Sequence, residues 1–197
     1  MTTPQEPAPL ADGAATPASE VPTRLVGLPP VVSDRTLVLV LGSFPGAASL
    51  KAQQYYGHPQ NHFWRILQSL WPQHPLPPAG PQHYAQRCAW LLERRLGLWD
   101  VYASCEREGS LDTSIRNAVV NDFAQLLREC PGLRAIAHNG GESFKHSAAV
   151  RQQWAGAYPG AQVQSVRLPS TSPANASWSF ERKQTAWAEL MAAHGLL

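Results

Sequence analysis

Four aromatic rings, two histidines and an asparagine crowd the stretch Tyr55-Tyr56-Gly57-His58-Pro59-Gln60-Asn61-His62-Phe63-Trp64. Taken singly, such rings serve as core or rim packing. Clustered beside an amide, they suit a planar heterocycle, which stacks on a ring while polar groups address its edge. Upstream lies Gly42-Ser43-Phe44-Pro45-Gly46, a tight turn. Far downstream lies Pro169-Ser170-Thr171-Ser172-Pro173-Ala174-Asn175, a run of hydroxyls and amides between prolines. The turn lacks the Gly-Lys-Ser/Thr of a phosphate-cradling NTPase loop and the GxGxxG dinucleotide fingerprint, which disfavours phosphoryl and hydride transfer.

The elements around these segments imply where they meet. Thr36 to Leu41 is a continuous aliphatic run suited to a strand covered on both faces. Leu98 to Ala103, Leu133 to His138 and Val163 to Leu168 read as three further strands. Helices are expected over His62 to Trp71, stopped by Pro72, and over His83 to Leu96, ended by Gly97. Further helices are expected over Asn121 to Cys130, with Asn121 or Asp122 as N-cap, over Glu142 to Trp154, and over Ser179 to His194. Helices alternating with buried strands imply a parallel sheet flanked on both faces. In such sheets ligands bind beyond the carboxyl ends of the strands, where both informative loops fall.

Composition narrows the classes. A chain of 197 residues with 44% hydrophobic content can bury one sizeable core, so residues 23–197 are expected to form a single domain. Residues 1–22, rich in Pro, Ala, Thr and Glu, are expected to be a disordered tail. A net charge of +2 neither demands nor excludes a polyanionic partner. Cys88, Cys105 and Cys130 form no CxxC pair, which argues against disulfides and zinc and fits the cytoplasm. No apolar window is long enough for a membrane helix, and the histidines show no metal-ligand spacing, so a soluble protein without metal or cofactor is expected.

The segments Gly42 to Gly46, Tyr55 to Trp64, Leu98 to Asn117 and Leu168 to Asn175 resemble the hypoxanthine-DNA glycosylase, or DNA-deoxyinosine glycosylase, branch of the uracil-DNA glycosylase superfamily. The likeness runs from about Arg35 to the C-terminus and rests on several motifs in order. His58 to Trp64 is also similar to the mismatch-specific uracil-DNA glycosylases. The resemblance implies a three-layer αβα sandwich with a central, mainly parallel four-stranded sheet. It also implies a monomeric enzyme that flips a deaminated base out of DNA and hydrolyses its glycosidic bond. Much of the superfamily carries a water-orienting Asp or Asn at the place of Phe44, which cannot hydrogen-bond water.

On that resemblance Asn61 becomes the catalytic candidate, its amide able to accept from water and donate to a base or sugar oxygen. Capping the following helix is its ordinary alternative, and the two roles are compatible. Tyr56 matches the stacking ring and Phe44 the opposite apolar wall, with Gly42 and Ser43 beside the base. Asp100 falls where relatives read the base edge, or serves as a structural hydrogen-bonding group. Ser170 falls where some relatives stabilise the leaving base. Thr171, Ser172 and Asn175 are expected to contact DNA, and Arg107, following Ser104 and Cys105 in a DNA-facing loop, a phosphate. Simple turn formation and a solvated surface charge are the alternatives. Ala174 is small for a wedge, so Asn175 or another loop is expected to fill that gap. Uracil or xanthine excision, and a non-catalytic nucleic-acid-binding relative, are the competing readings.

Overall fold

In a computed structural model of the chain, residues 24–160 and 162–197 are described; the expected tail, residues 1–22, lies outside them. The elements, in chain order, are β1 (Arg24–Val26), β2 (Val38–Gly42), α1 (Ala47–Ala52), α2 (Phe63–Leu70), α3 (Tyr84–Glu93), β3 (Leu96–Asp100), β4 (Tyr102–Glu106), β5 (Arg116–Val120), α4 (Phe123–Arg128), β6 (Ala135–Asn139), α5 (Gly141–Phe144), α6 (Ser147–Ala157), β7 (Gln164–Leu168) and α7 (Phe180–Ala193). β3, β2, β6 and β7 lie side by side, all parallel.

Strand alternation sets the layering. Val38 and Val40 of β2 pack into one apolar cluster with Phe63, Ile66 and Leu67 of α2 and with Trp187 and Met191 of α7. Leu39 and Leu41 point the other way, into a second cluster with Phe123 of α4 and with Val150 and Trp154 of α6. Successive side chains of a strand leave on opposite faces, so a strand apolar at every position needs cover on both. The result is the expected αβα sandwich.

Three sequence expectations need correction. The strand expected over Leu98 to Ala103 is two strands. β3 ends at Asp100, the Val101 N–H donates to the Gly42 carbonyl at 2.9 Å, and β4 then leaves for an antiparallel sheet of order β1-β4-β5. Ser104 and Cys105 therefore lie on a strand, not in a loop. Gly97 does not end α3. Arg95, at φ 58°, breaks the helix, and Gly97 lies within β3, where a Cβ would stand 2.9 Å from Val32 Cγ1 and 3.2 Å from the Val31 carbonyl. The helix expected over Glu142 to Trp154 is split into α5 and α6.

Other expectations hold. Asp122 Oδ1 accepts the Ala124 N–H at 2.9 Å at the start of α4, and Ser179 caps α7 by accepting the Arg182 N–H at 3.3 Å. Asn121 instead ties the junction of the two sheets, its N–H donating to the Val101 carbonyl and its Nδ2 to the Asp100 carbonyl at 2.9 Å. None of the described helices is long and apolar enough to cross a membrane.

Candidate active site

Beyond the carboxyl ends of β2, β3, β6 and β7 opens a cavity of about 870 Å³. Gly42, Ser43, Phe44, Tyr56, Asn61, Asp100, Ser170, Thr171, Ser172 and Asn175 all line it, so the structure brings ten of the eleven sequence candidates together. Arg107 is the exception.

The first wall grows from β2. Gly42 pairs with Asp100 across β2 and β3, and a Cβ on Gly42 would stand 2.2 Å from Asp100 Oδ1, so glycine is what leaves that carboxyl in place. Past the turn, Tyr56 sits at φ 54° with its ring stacked on Phe63, centroids 3.9 Å apart and planes 25° from parallel. Phe63 covers one face of the ring, and Tyr56 lines the cavity. Asn61 Oδ1 accepts the Phe63 N–H at 3.0 Å from one residue before His62, which holds the N-cap position of α2. That bond fixes the side chain while Nδ2 has no protein acceptor among the described residues.

The second loop is locked to the first through Asn139 at the end of β6. Asn139 Nδ2 donates to the Tyr56 hydroxyl at 3.1 Å and to Thr171 Oγ1 at 2.9 Å, and its Oδ1 accepts the Thr171 N–H at 2.9 Å. The His62 N–H donates to the Thr171 carbonyl at 3.0 Å. Gly140, at φ 113°, lets the second loop close in, since a Cβ there would stand 3.1 Å from Ser170 Cβ.

Two residues expected at DNA are tied into the protein. Thr171 is fully buried with its N–H, carbonyl and hydroxyl engaged inside the protein, so it joins the loops. Arg107 is no free surface charge: its guanidinium lies 5.0 Å from the centre of the Phe44 ring and donates to the Pro45 carbonyl. Ser170 Oγ accepts the Ser172 N–H and Ser172 Oγ accepts the Ala174 N–H, both at 3.2 Å, and each hydroxyl keeps its hydrogen for donation outward. Asn175 folds back, Nδ2 donating to the Ser170 carbonyl at 3.1 Å.

Electrostatics single out Asp100. It is 5% exposed, and its Oδ2 is buried without a partner. Burial pushes the carboxyl up to about 7, with Asp112 adding to the rise and Arg107 opposing it. Burial, with Asp100 nearby, also pushes the Tyr56 phenol well up, so it stays neutral. His138 has a different fate: Ser143 Oγ donates to the Leu41 carbonyl at 2.7 Å, so the 2.9 Å contact to His138 Nδ1 must place the hydrogen on that nitrogen. Burial pushes this imidazole down to about 4, and it is a neutral interior group.

From sequence alone Asn139, at the end of the third expected strand, ranks below Asn61, and two further members of the site, Asp112 and Lys183, give no signal. Asp112, whose Oδ1 accepts from Ser43 Oγ at 2.6 Å, sits 69 residues away from its partner and belongs to no local pattern. Lys183, 1% exposed on α7, donates to the Ser172 carbonyl at 3.3 Å beneath the second loop. Among the described residues no three His, Cys, Asp or Glu side chains are grouped to hold a metal ion.

The sequence pattern of the uracil DNA glycosylase superfamily matches residues 29–191, a span that includes every cavity residue named above. The chain belongs to the uracil DNA glycosylase superfamily. Within it the chain is 36% identical over 167 residues to a protein of Methanosarcina barkeri (strain Fusaro) named hypoxanthine DNA glycosylase, covering 83% of this chain and 95% of the relative. A Methanosarcina acetivorans protein of the same name is 34% identical over 157 residues, covering 80% and 92%. A solution NMR structure from Methanosarcina acetivorans, provisionally described as a uracil DNA glycosylase, superposes with a TM-score of 0.70 at 31% identity, covering 88% of this chain and 99% of that one. The superfamily fold therefore accounts for both loops and the cavity between them.

Proposed function

We propose that this protein is a DNA glycosylase that excises hypoxanthine, the base left by adenine deamination, by hydrolysis of the glycosidic bond. The observation that carries the reading is the unpartnered carboxylate of Asp100 in the wall of an aromatic slot. Deamination converts adenine N1 from a hydrogen-bond acceptor into an N–H donor. With its carboxyl pushed up to about 7, Asp100 accepts that N–H and repels the lone pair it replaces only when ionised, whereas the protonated carboxyl donates to adenine N1. Discrimination against the parent base should therefore sharpen as pH rises through about 7. The names of the two Methanosarcina relatives support the same substrate.

In this reading Tyr56 stacks on the extrahelical base, Phe44 forms an apolar wall, and Asn61 presents its free Nδ2 to the base or sugar. Ser170 and Ser172 offer hydroxyl hydrogens to the leaving base and the DNA backbone. Hydrolysis passes through a sugar with oxocarbenium character, so water must be oriented and charge on the departing base stabilised. A protein nucleophile is not required, and Lys183, engaged with the Ser172 carbonyl, is not poised to form a Schiff base. The product is an intact strand with an abasic site. Ala174 is too short to occupy the place vacated by a flipped base; Leu111, 57% exposed and also lining the cavity, supplies the larger apolar side chain.

A base-release assay tests this directly, using duplexes with one deoxyinosine, deoxyuridine, deoxyxanthosine or deoxyadenosine in the presence of a chelator. Hypoxanthine release should dominate and adenine should be retained. Asn61→Ala should abolish turnover without changing the circular dichroism spectrum. Binding of inosine DNA without release of any base would instead identify a non-catalytic relative, the reading that Phe44 favours.

A further inference from the structure

Phe44 stands where a polar group would hold the attacking water, and its ring is 6% exposed and packed in the core. The space beside it is not apolar throughout. The connection from β4 to β5 crosses the cavity mouth and grips the first loop at alternate residues. Asp112 Oδ1 accepts from Ser43 Oγ at 2.6 Å, Arg107 donates to the Pro45 carbonyl, and the Ala47 N–H donates to Ser110 Oγ at 2.9 Å. Ser114 Oγ makes bonds to the Glu108 carbonyl at 2.9 Å and the Leu111 carbonyl at 2.8 Å, closing the connection on itself.

We infer that Asp112 is the water-activating carboxylate of this enzyme, delivered from the β4–β5 connection to the place beside Ser43 that Phe44 leaves without one. The inference rests on the glycosylase reading above. Two carboxylates line the cavity, and their settings differ. Asp100 is buried at the floor without donors, a setting for a base N–H; Asp112 is reachable by solvent and oriented by one hydroxyl, a setting for water. In the reaction the bond from the anomeric carbon to N9 breaks and its electron pair leaves with hypoxanthine. Water oxygen bonds to the anomeric carbon while one water proton passes to Asp112. The departing base takes its proton from solvent. Before that transfer the carboxylate also faces the developing positive charge on the sugar.

The charged and titratable surroundings of Asp112 are Glu142 on α5, Lys145 just after it, Arg107 after β4, Asp100 on β3, and Tyr102 and Cys105 on β4. Although Asp112 is exposed as a residue, the packing around its carboxyl, with Glu142 adding, raises it above the ordinary carboxylate range, while Ser43, Arg107 and Lys145 oppose the rise. Excision should therefore fall as the pH drops through that raised value, because the protonated carboxyl no longer accepts from water.

The test is single-turnover release of hypoxanthine from an inosine duplex by wild type, Asp112→Asn, Asp112→Ala and Ser43→Ala, with binding measured on a duplex carrying the non-hydrolysable 2′-fluoro analogue of deoxyinosine. Asp112→Asn should bind within about threefold of wild type yet release base at least a hundredfold more slowly, on the order of the usual contribution of a general base. Its profile should lose the part of the acid limb that Asp112 contributes and keep the part set by Asp100, whose carboxyl is pushed up to about 7. Added formate should restore part of the rate to Asp112→Ala, and Ser43→Ala should move the acid limb of the profile upward. Wild-type rates in Asp112→Asn, a rate loss matched by lost binding, or no effect of formate would overturn the assignment. Should the Asp112 variants not fold, an acid limb unmoved in Ser43→Ala would do so. Failure of the wild type to release hypoxanthine would sink the glycosylase reading itself.

Discussion

Two parts of the cavity wall differ in one respect. Where Asn139 joins Tyr56 to Thr171, polar atoms meet matched partners: Asn139 Nδ2 and Oδ1 make three bonds, and the N–H, hydroxyl and carbonyl of Thr171 are all engaged. Where β3 meets the first loop, Asp100 Oδ2 has no partner and two carboxylates share one cavity. A satisfied network gives geometry, because any movement breaks several bonds together. An unsatisfied buried acceptor stores an unfavourable energy that only a ligand donor relieves. The first region holds the site; the second is where a damaged base and water find their partners.

The largest expected effect comes from invading the unsatisfied side. Gly42→Ala places a Cβ 2.2 Å from Asp100 Oδ1, which must move. Hypoxanthine release should fall by about a hundredfold or more, as misplacing a catalytic-site group by an ångström does, with the melting temperature little changed. Breaking the satisfied side acts on stability as well. Asn139→Ala strands the buried Thr171 N–H and frees both loops, and should cost about 2 to 4 kcal/mol in chemical denaturation along with most activity. If this variant kept full stability, the account of that wall as the structural tie would fail.

Asp100→Asn sharpens the comparison through pH. In the folded protein the carboxyl keeps its proton up to about pH 7, against an ordinary value of 3.8 in the unfolded chain. Between those values the folded state binds more protons, so stability contributed by the protonated group is lost as pH rises through the window. The variant should match wild type near pH 4 and exceed it above pH 7, by on the order of 4 kcal/mol. His138 acts with the opposite sign, destabilising the folded state as pH falls toward 4, but it is common to both proteins and cancels in the difference. In base release, Asp100→Asn should lose much of its preference for inosine over adenosine. The smallest expected effect is that of Leu111→Ala, about tenfold slower excision from duplex inosine with single-stranded inosine unaffected, since only a duplex leaves a gap to fill. Equal losses on both substrates would remove Leu111 from that role.

The parallel sheet was legible because β2 carries apolar residues at every position and α2 carries Phe63, Ile66 and Leu67 at helical spacing, signals that need no tertiary context. The antiparallel sheet was not. Every residue of β5 is exposed, and β4 is bulged, so neither strand shows the alternation that marks a half-buried strand. Likewise Asn61, Tyr56 and Ser170 could be chosen from local pattern and resemblance, whereas Asn139 and Asp112 acquire meaning only from partners 32 to 83 residues away. The internal bonds of Thr171 and Arg107 are hidden from local pattern for the same reason: their partners Asn139 and Pro45 lie 32 and 62 residues away.

The most direct test of the central claim is to incubate the protein with an inosine duplex in H₂¹⁸O with a chelator present and to analyse both products by mass spectrometry. Free hypoxanthine, one ¹⁸O at the anomeric carbon of an uncut abasic strand, and an unmodified protein are the predicted result. An unaltered duplex, or a protein trapped on the strand by borohydride, would contradict it.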